Sequence, residues 1–480
     1  MRKHRLPVIA AVFAATLLSA RPSHSQELAQ STRKPSYDEL LQKVERLEES
    51  VKTLEGLDQK VKVLDRRVEV EQEEARAKSA QAPLISANSQ GFSISSPDKA
   101  FTLRVGGILQ ANGSFFTSGS DKPSTGSTFF LNKARPIFQG TVFRYYDYFL
   151  YPDFGQGKTV LQEAWVDAHY FESARVILGK FKAPFGIERL QSDKDLLFSQ
   201  RGLTNNLIPN RDIGLELHGD LLQKRLTYQL ALQNGVINNT ASTDFDTNDG
   251  NDGKDFVGRI FALPFKQTGV QSIEGLGLGF AGSYGDERGP ISKYVTAGQS
   301  TFFGYASGVT ASGLHYRYSP QAYYYTGPFG LLADYVDDTQ TANLQTTLKK
   351  SNTFINRYDT FANHAWQVQA SWLLTGEDAT YYGVKPRRVF NPAEGGWGAW
   401  EIKARVGGLG VDSDVFHDKF ASTSTSARTA TEWGGGLNWY LNSNVKFQLD
   451  YLRTFFDKGG PGNTDRKDES AFLTQLQLAY

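Results

Sequence analysis

The sequence predicts an all-β protein, a 16-stranded antiparallel transmembrane β-barrel preceded by a short α-helical coiled coil. Three observations predict it. The amino-terminal residues have the pattern that directs export. A two-residue hydrophobic period runs through most of the 480 residues. The last segment, Ala471 to Tyr480, places Phe472, Thr474, Leu476, Leu478 and Tyr480 on one parity and Leu473, Gln475, Gln477 and Ala479 on the other, as a lipid-facing closing strand requires.

Arg2, Lys3 and Arg5 precede an apolar run from Val8 to Ala20, and small residues follow at Ser23 and Ser25, so residues 1–25 are expected to be a secretory signal peptide. No later stretch approaches the ~20 apolar residues that a helical span needs, which leaves a closed barrel as the way across a bilayer.

From 37 to 78 the period changes. Leu40, Val44, Leu47, Val51 and Leu54 alternate steps of four and three, the seam of a coiled coil. Leu57, Val61, Leu64 and Val68 continue it after one short step, a stammer that overwinds the helices locally. Residues 37–78 are expected to self-associate, a single solvated helix being the alternative. Residues 79–100 lose this period and contain Pro83 and Gly91, so they read as a linker.

Residues 101–480 are expected to form the barrel. Trp400, Ile402, Ala404 and Val406 oppose Glu401, Lys403 and Arg405 in parity, and Trp366, Val368, Ala370 and Trp372 oppose Gln367, Gln369 and Ser371. A soluble sandwich alternates in the same way. The export pattern and the alternation of short and long connections favour the barrel. Sixteen strands are expected, among them 328–337 and 363–376. An even barrel returns its chain to the starting side, so the helix and Tyr480 are expected in the periplasm. The connection from Glu377 to Gly396 is long for that side.

Fifty-two basic and 51 acidic side chains leave a net charge of +1, so no bulk field favours nucleic acid. With no Cys there is no thiol chemistry, disulfide or Cys-based metal site. The seven His form no metal-spaced pair. Asp244 to Asp255 has the composition of a calcium loop without its terminal Glu, so it reads as an external acidic loop. No phosphate loop or nucleophile elbow is present, so no enzyme, metal or cofactor is expected.

Selectivity must then come from inward side chains. By parity these include Arg104, Lys133, Arg135, Lys180, Lys182, Arg259, Arg317, Lys403 and Arg405. Glu163, Asp167, Asp212, Glu216, Asp334, Glu401 and Asp450 share that parity, so an anion path and a mixed wall are both open. Residues 185–206 are expected to form a constriction loop, with Lys194 and Arg201 as its cationic contacts.

The stretches Leu178-Gly-Lys-Phe-Lys-Ala-Pro-Phe-Gly-Ile-Glu188, Ile208 to Gly219, Trp372 to Glu377 and Trp397 to Lys403 resemble the phosphate-selective porin O/P family, over Phe101 to Tyr480. The coiled-coil extension belongs only to some of its members. The resemblance implies a passive outer-membrane diffusion channel, a homotrimer of separate pores, with an external loop folded inward and Arg or Lys leading phosphate or other small anions through each lumen. Outer-membrane lipid and lipopolysaccharide are the implied surroundings. One departure matters: Phe149 and Tyr151 stand where similar sequences carry Arg and Glu, with Asp153 retained. That keeps open a porin for neutral or mixed solutes such as sugars. A barrel that tethers the envelope through its coiled coil is a third reading.

Overall fold

The computed structural model describes residues 36–89, 91–242, 252–348 and 353–480. The expected signal peptide and most of the acidic segment from Asp244 lie outside the described residues. The chain divides into two units, residues 1–80 and 81–480.

The first unit is a helix, α1 (Tyr37–Gln81), about 68 Å long at the usual rise. Ser36 caps it: the Asp38 N–H donates to its hydroxyl at 3.3 Å, while its own N–H donates to the Glu39 carboxylate at 3.2 Å. Leu40, Val44, Leu47, Val51, Leu54, Leu57, Val61, Leu64 and Val68 are all exposed along it.

The expected linker is in part a hairpin, β1 (Leu84–Asn88) and β2 (Gly91–Ser95). Five-residue strands are too short to announce themselves by alternation. Gly91 makes this one possible: its φ is +98°, and a Cβ there would stand 2.4 Å from the Val105 carbonyl oxygen.

The second unit continues with β3 (Thr102–Phe116), β4 (Thr128–Val142), β5 (Tyr146–Asp153), β6 (Val160–Phe171), β7 (Ala174–Lys182), β8 (Arg211–Leu221), β9 (Leu226–Gln233) and β10 (Asp255–Ala262). There follow β11 (Leu276–Gly289), β12 (Tyr294–Val295), β13 (Thr301–Phe303), β14 (Val309–Thr326), β15 (Phe329–Leu348) and β16 (Thr353–Leu373). The last four are β17 (Ala399–Gly410), β18 (Ala427–Tyr440), β19 (Val445–Lys458) and β20 (Glu469–Ala479). Apart from the hairpin β1–β2 and the small pair β12–β13, these are sixteen antiparallel barrel strands. The ring closes where β20 lies on β3, from Ala471 opposite Phe116 to Ala479 opposite Ile108, and β2 occupies the rest of that edge.

Register carries the parity around the wall. Trp400, Trp439, Phe447 and Leu476 form one outward row. Trp372 and Leu449 are 48% and 41% exposed, whereas Gln448 and Asp450 are fully buried. An apolar outside around a polar inside inverts the soluble arrangement and suits hydrocarbon. Trp400 and Trp439 stack at 5.0 Å near the end that holds Tyr480, and both indole N–H groups donate to the Trp397 carbonyl, as side chains in an interfacial belt do.

Two long segments fold inside the barrel, residues 183–210 and 290–308. Phe185, Leu203, Leu207 and Ile208 of the first meet Tyr294, Phe302 and Phe303 of the second, packed on Val336, Phe361 and Phe456 of the wall. This apolar plug accounts for Val336, Phe361 and Phe456 on the otherwise polar parity of their strands.

Candidate functional site

The loop 183–210 leaves β7 and returns to β8 through a pinched base, with Lys182 opposite Arg211 and the Ala183 N–H donating to the Asn210 carbonyl at 3.0 Å. Its bend at Gly186 needs φ +77°, with Ile208 so close that a Cβ would stand 2.6 Å from it. Inside the barrel the loop exposes backbone carbonyls that have no strand partner, and wall side chains satisfy them. Lys446 donates to the Lys194 and Leu196 carbonyls at 3.1 and 3.0 Å. Gln448 and Lys403 donate to that of Leu197 at 2.9 and 2.8 Å, and Arg405 to that of Gln200 at 2.8 Å. Glu188 accepts from the Gly202 N–H at 3.1 Å and from Asn205 and Gln367 at 2.7 and 3.0 Å.

Asp193 is the electrostatic centre of the loop. Arg135 binds it directly and also holds Asp153 at 2.7 Å; Arg201 reaches it at 2.7 Å and Lys133 at 3.7 Å. Burial alone would raise its carboxyl, but Lys133, Arg201, Arg135 and Lys182 hold it well below the usual carboxylate range. Asp195 behaves oppously in sign: burial raises it, offset in part by Lys194 at 2.8 Å.

The loop separates two spaces. On the outer side, a cavity of about 170 Å³ is lined by Lys133, Arg189 and Arg201 beside Ser199, Asn205 and Thr296. On the Tyr480 side, a cavity of about 640 Å³ has Arg104, Lys182, Lys194, Arg211 and Lys385 on its wall with Glu163 and Asp193. The expected residues Arg104, Lys133, Lys182, Lys194 and Arg201 thus border free space, with Arg135 behind Asp193.

The other expected cations lie elsewhere. Arg317 is locked by Glu287 at 2.9 Å, Asn238 at 2.8 Å and Ser283 at 3.1 Å. Lys403 pairs with Asp450 at 2.5 Å and Arg405 with Glu432 at 2.8 Å, and both stand over the Phe198 ring. Arg259 binds Gln321 and Gln229 at 3.0 and 3.2 Å, and Lys180 is buried in the wall.

Sequence reasoning did not single out Arg189, Arg211, Lys385 or Lys446 as contacts of the path. Lys446 shares the inward parity of Gln448 and Asp450, which was the available signal. Lys385 lies in the connection 374–398, which has no period to read. That connection enters the lumen: the Tyr381 hydroxyl donates to the Ile187 carbonyl at 2.6 Å, and Gln191 donates to the Tyr381 carbonyl at 2.7 Å. Gly383, at φ +89°, lets it pass Asp195, whose carboxylate would be 2.5 Å from a Cβ. Among the described residues no group of His, Asp and Glu is arranged to hold a metal ion.

The chain is similar to Porin O of Pseudomonas aeruginosa, at 24% identity over 423 residues, covering 81% of this chain and 91% of that protein. Among solved structures it is similar to OmpT, an outer membrane protein of Vibrio cholerae, in its trimer form (TM-score 0.47, 10% identity, 79% of this chain and 100% of that one). It is also similar to an anion-selective porin from Comamonas acidovorans (TM-score 0.49, 11% identity, 79% and 100%). The model of the family described as phosphate-selective porin O and P matches residues 104–480, from the first barrel strand through the inward loop to Tyr480. The chain therefore belongs to the phosphate-selective porin O and P family and is an outer-membrane porin, a channel and not an enzyme.

Proposed function

We propose that this porin is a trimeric, passive channel with modest selectivity for anions, phosphate among them. The observation that carries this reading is the sign of the charge bordering the two lumen cavities. The outer one has three cations and no carboxylate on its lining, the inner one five cations against Glu163 and Asp193. Charges at a narrow place bias ions strongly because little water screens them. Arginine offers a fork to a phosphate and lysine a point charge. Selectivity stays modest because Arg135, Arg317, Lys403 and Arg405 are spent on inward acids. The zero-current potential of the protein in a planar bilayer under a potassium chloride gradient tests the reading: anion preference is expected, and cation preference refutes it. Phosphate added to the same bilayer should reduce the chloride current.

The proposal includes the processing and surroundings of the chain. Residues 1–25 would be removed on export, 37–78 would form a periplasmic coiled coil between copies of the chain, 79–100 would join it to the barrel, and 101–480 would sit in the outer membrane. The exposed apolar belt of the barrel supports contact with lipid, and lipopolysaccharide would surround the end opposite Tyr480. The exposed Leu/Val seam of α1 supports the coiled coil, because water-exposed apolar stripes are buried when helices associate.

A further inference from the structure

We infer that the cavity on the Tyr480 side of the inward loop is a binding site for organic anions that carry a flat apolar group, an aromatic carboxylate being the simplest. The inference rests on the anion-channel reading and narrows its solute.

Much of the inward wall is charged or amide-bearing, but beside the inner cavity four neighbouring inward residues are apolar and a fifth, Tyr151, adds its ring while its hydroxyl accepts from Arg135 at 3.4 Å. Ile108, Tyr151 and Ala479 are buried together with Ile137 and Phe149 packed against them. This patch belongs to the wall itself, since Ile108 faces Ala479 across the β3–β20 closure. It is separate from the apolar plug under the inward loop. The cavity of about 640 Å³ opens on it, with Ile108, Ile137, Phe149 and Tyr151 on its lining. That volume is within the range of small-molecule sites. Apolar side chains facing water in a pore are unfavourably hydrated and do nothing for an inorganic ion.

The charge needed for the other end of such a solute stands beside the patch. Register places Arg104 opposite Gln139, Gln139 opposite Phe149, and Phe149 opposite Trp165, in one row across four strands. Phe149 and Trp165 stack with ring centres 5.2 Å apart and planes at 17°. Two strand spacings separate Arg104 from Phe149, about 10 Å between backbones, which the arginine side chain and an aromatic carboxylate together bridge. Arg104 and Lys385 are exposed and make no ion pair among the described residues, so their charge is available, unlike that of Arg211, which is held by Glu163 at 2.9 Å. An inorganic phosphate engages only the cations and a sugar only the rings. A carboxylate on a ring engages both.

Full-length protein in a planar bilayer tests this with benzoate, acetate and inorganic phosphate as probes against the chloride current. Benzoate is expected to halve the current at a concentration about tenfold below that of acetate, the effect of partly burying one ring. Phe149→Ser is expected to shrink that difference to less than about threefold, and Ile137→Ser on the neighbouring strand tests the same patch independently. Arg104→Gln should weaken benzoate and acetate together. Retention of the heat-modifiable barrel on gels confirms folding of each variant. Equal potency of benzoate and acetate in an anion-selective channel, or a difference unmoved by both patch variants, overturns this inference and leaves the anion reading intact. Cation preference in the salt gradient overturns the anion reading itself and this site with it.

Discussion

The Tyr381 hydroxyl donates a 2.6 Å hydrogen bond to the Ile187 carbonyl, joining the long connection between β16 and β17 to the loop that fills the barrel. A segment from one end of the barrel thereby holds a loop that enters from the other. The Tyr381 ring also stacks on Tyr323 at 5.4 Å and 27°, so it is fixed from the wall side as well.

Tyr381→Phe keeps the ring contact and removes the bond, leaving the Ile187 carbonyl with only the Gln191 N–H at 3.3 Å, at a cost of about 1 kcal/mol. The expected outcome is an intact barrel with noisier single-channel current, as the segment around Ile187 samples more positions. Current noise indistinguishable from that of the native protein would show that this bond does not hold the loop.

Asp193→Asn removes the one carboxylate that Arg135, Arg201 and Lys133 share. Breaking a buried pair from one side leaves uncompensated charge and costs about 3–5 kcal/mol, so the barrel should melt at lower temperature. The zero-current potential should move further toward anion preference, since Arg201 and Lys133 lose their counter-charge and Arg135 keeps only Asp153. A lower melting temperature with an unchanged potential would place Asp193 outside the ion path.

Lys403 and Asp450 mark what the sequence made legible. Parity put Lys403 and Asp450 on the inner face, and they are there, across Gly436 from each other. Parity assigns a side and not a partner, so their ion pair and the clasp on the Leu197 carbonyl were beyond it. The extent of β15 and β16 was underestimated for a related reason. β15 continues to Leu348 through Thr339 to Thr347, where polar side chains occupy both faces and the two-residue period weakens, and β16 begins at Thr353 to pair with it. Tyr381 and the segment around Tyr294 lie in stretches without any period, and only the fold reveals that they enter the lumen.

Acidification separates Asp193 from its neighbour Asp195. The lowered Asp193 gives a stabilisation that is complete above the ordinary unfolded value near 4 and is lost only as pH falls through its lower folded value. It stays charged in mild acid. Asp195, raised by burial, protonates first, and its folded form is therefore favoured as pH falls. Protonation frees Lys194, which lines the inner cavity. Anion preference should then rise as pH falls, and Asp195→Asn should show the acidic behaviour already at neutral pH. A potential that does not respond to pH in the native protein, or responds equally in the variant, would remove Lys194 from the path.

The seam of α1 gives the last prediction. Val44, Val51, Val61 and Val68 take the a positions and Leu40, Leu47, Leu54, Leu57 and Leu64 the d positions, a pattern that in free helices favours two strands. Three barrels in one assembly would impose three strands by raising the local concentration of the helices. A peptide of residues 37–78 should therefore sediment as a dimer even if the whole protein is a trimer. Because the chain has no cysteine, Val51→Cys provides a single clean reporter. In a parallel coil its sulfurs meet across the seam, and oxidation should link chains in pairs, leaving one thiol of every three free. Glu49→Cys, on the opposite face of the helix, should link far less. Equal linking at both positions would mean that α1 is a solvated helix and that the barrel alone determines the assembly.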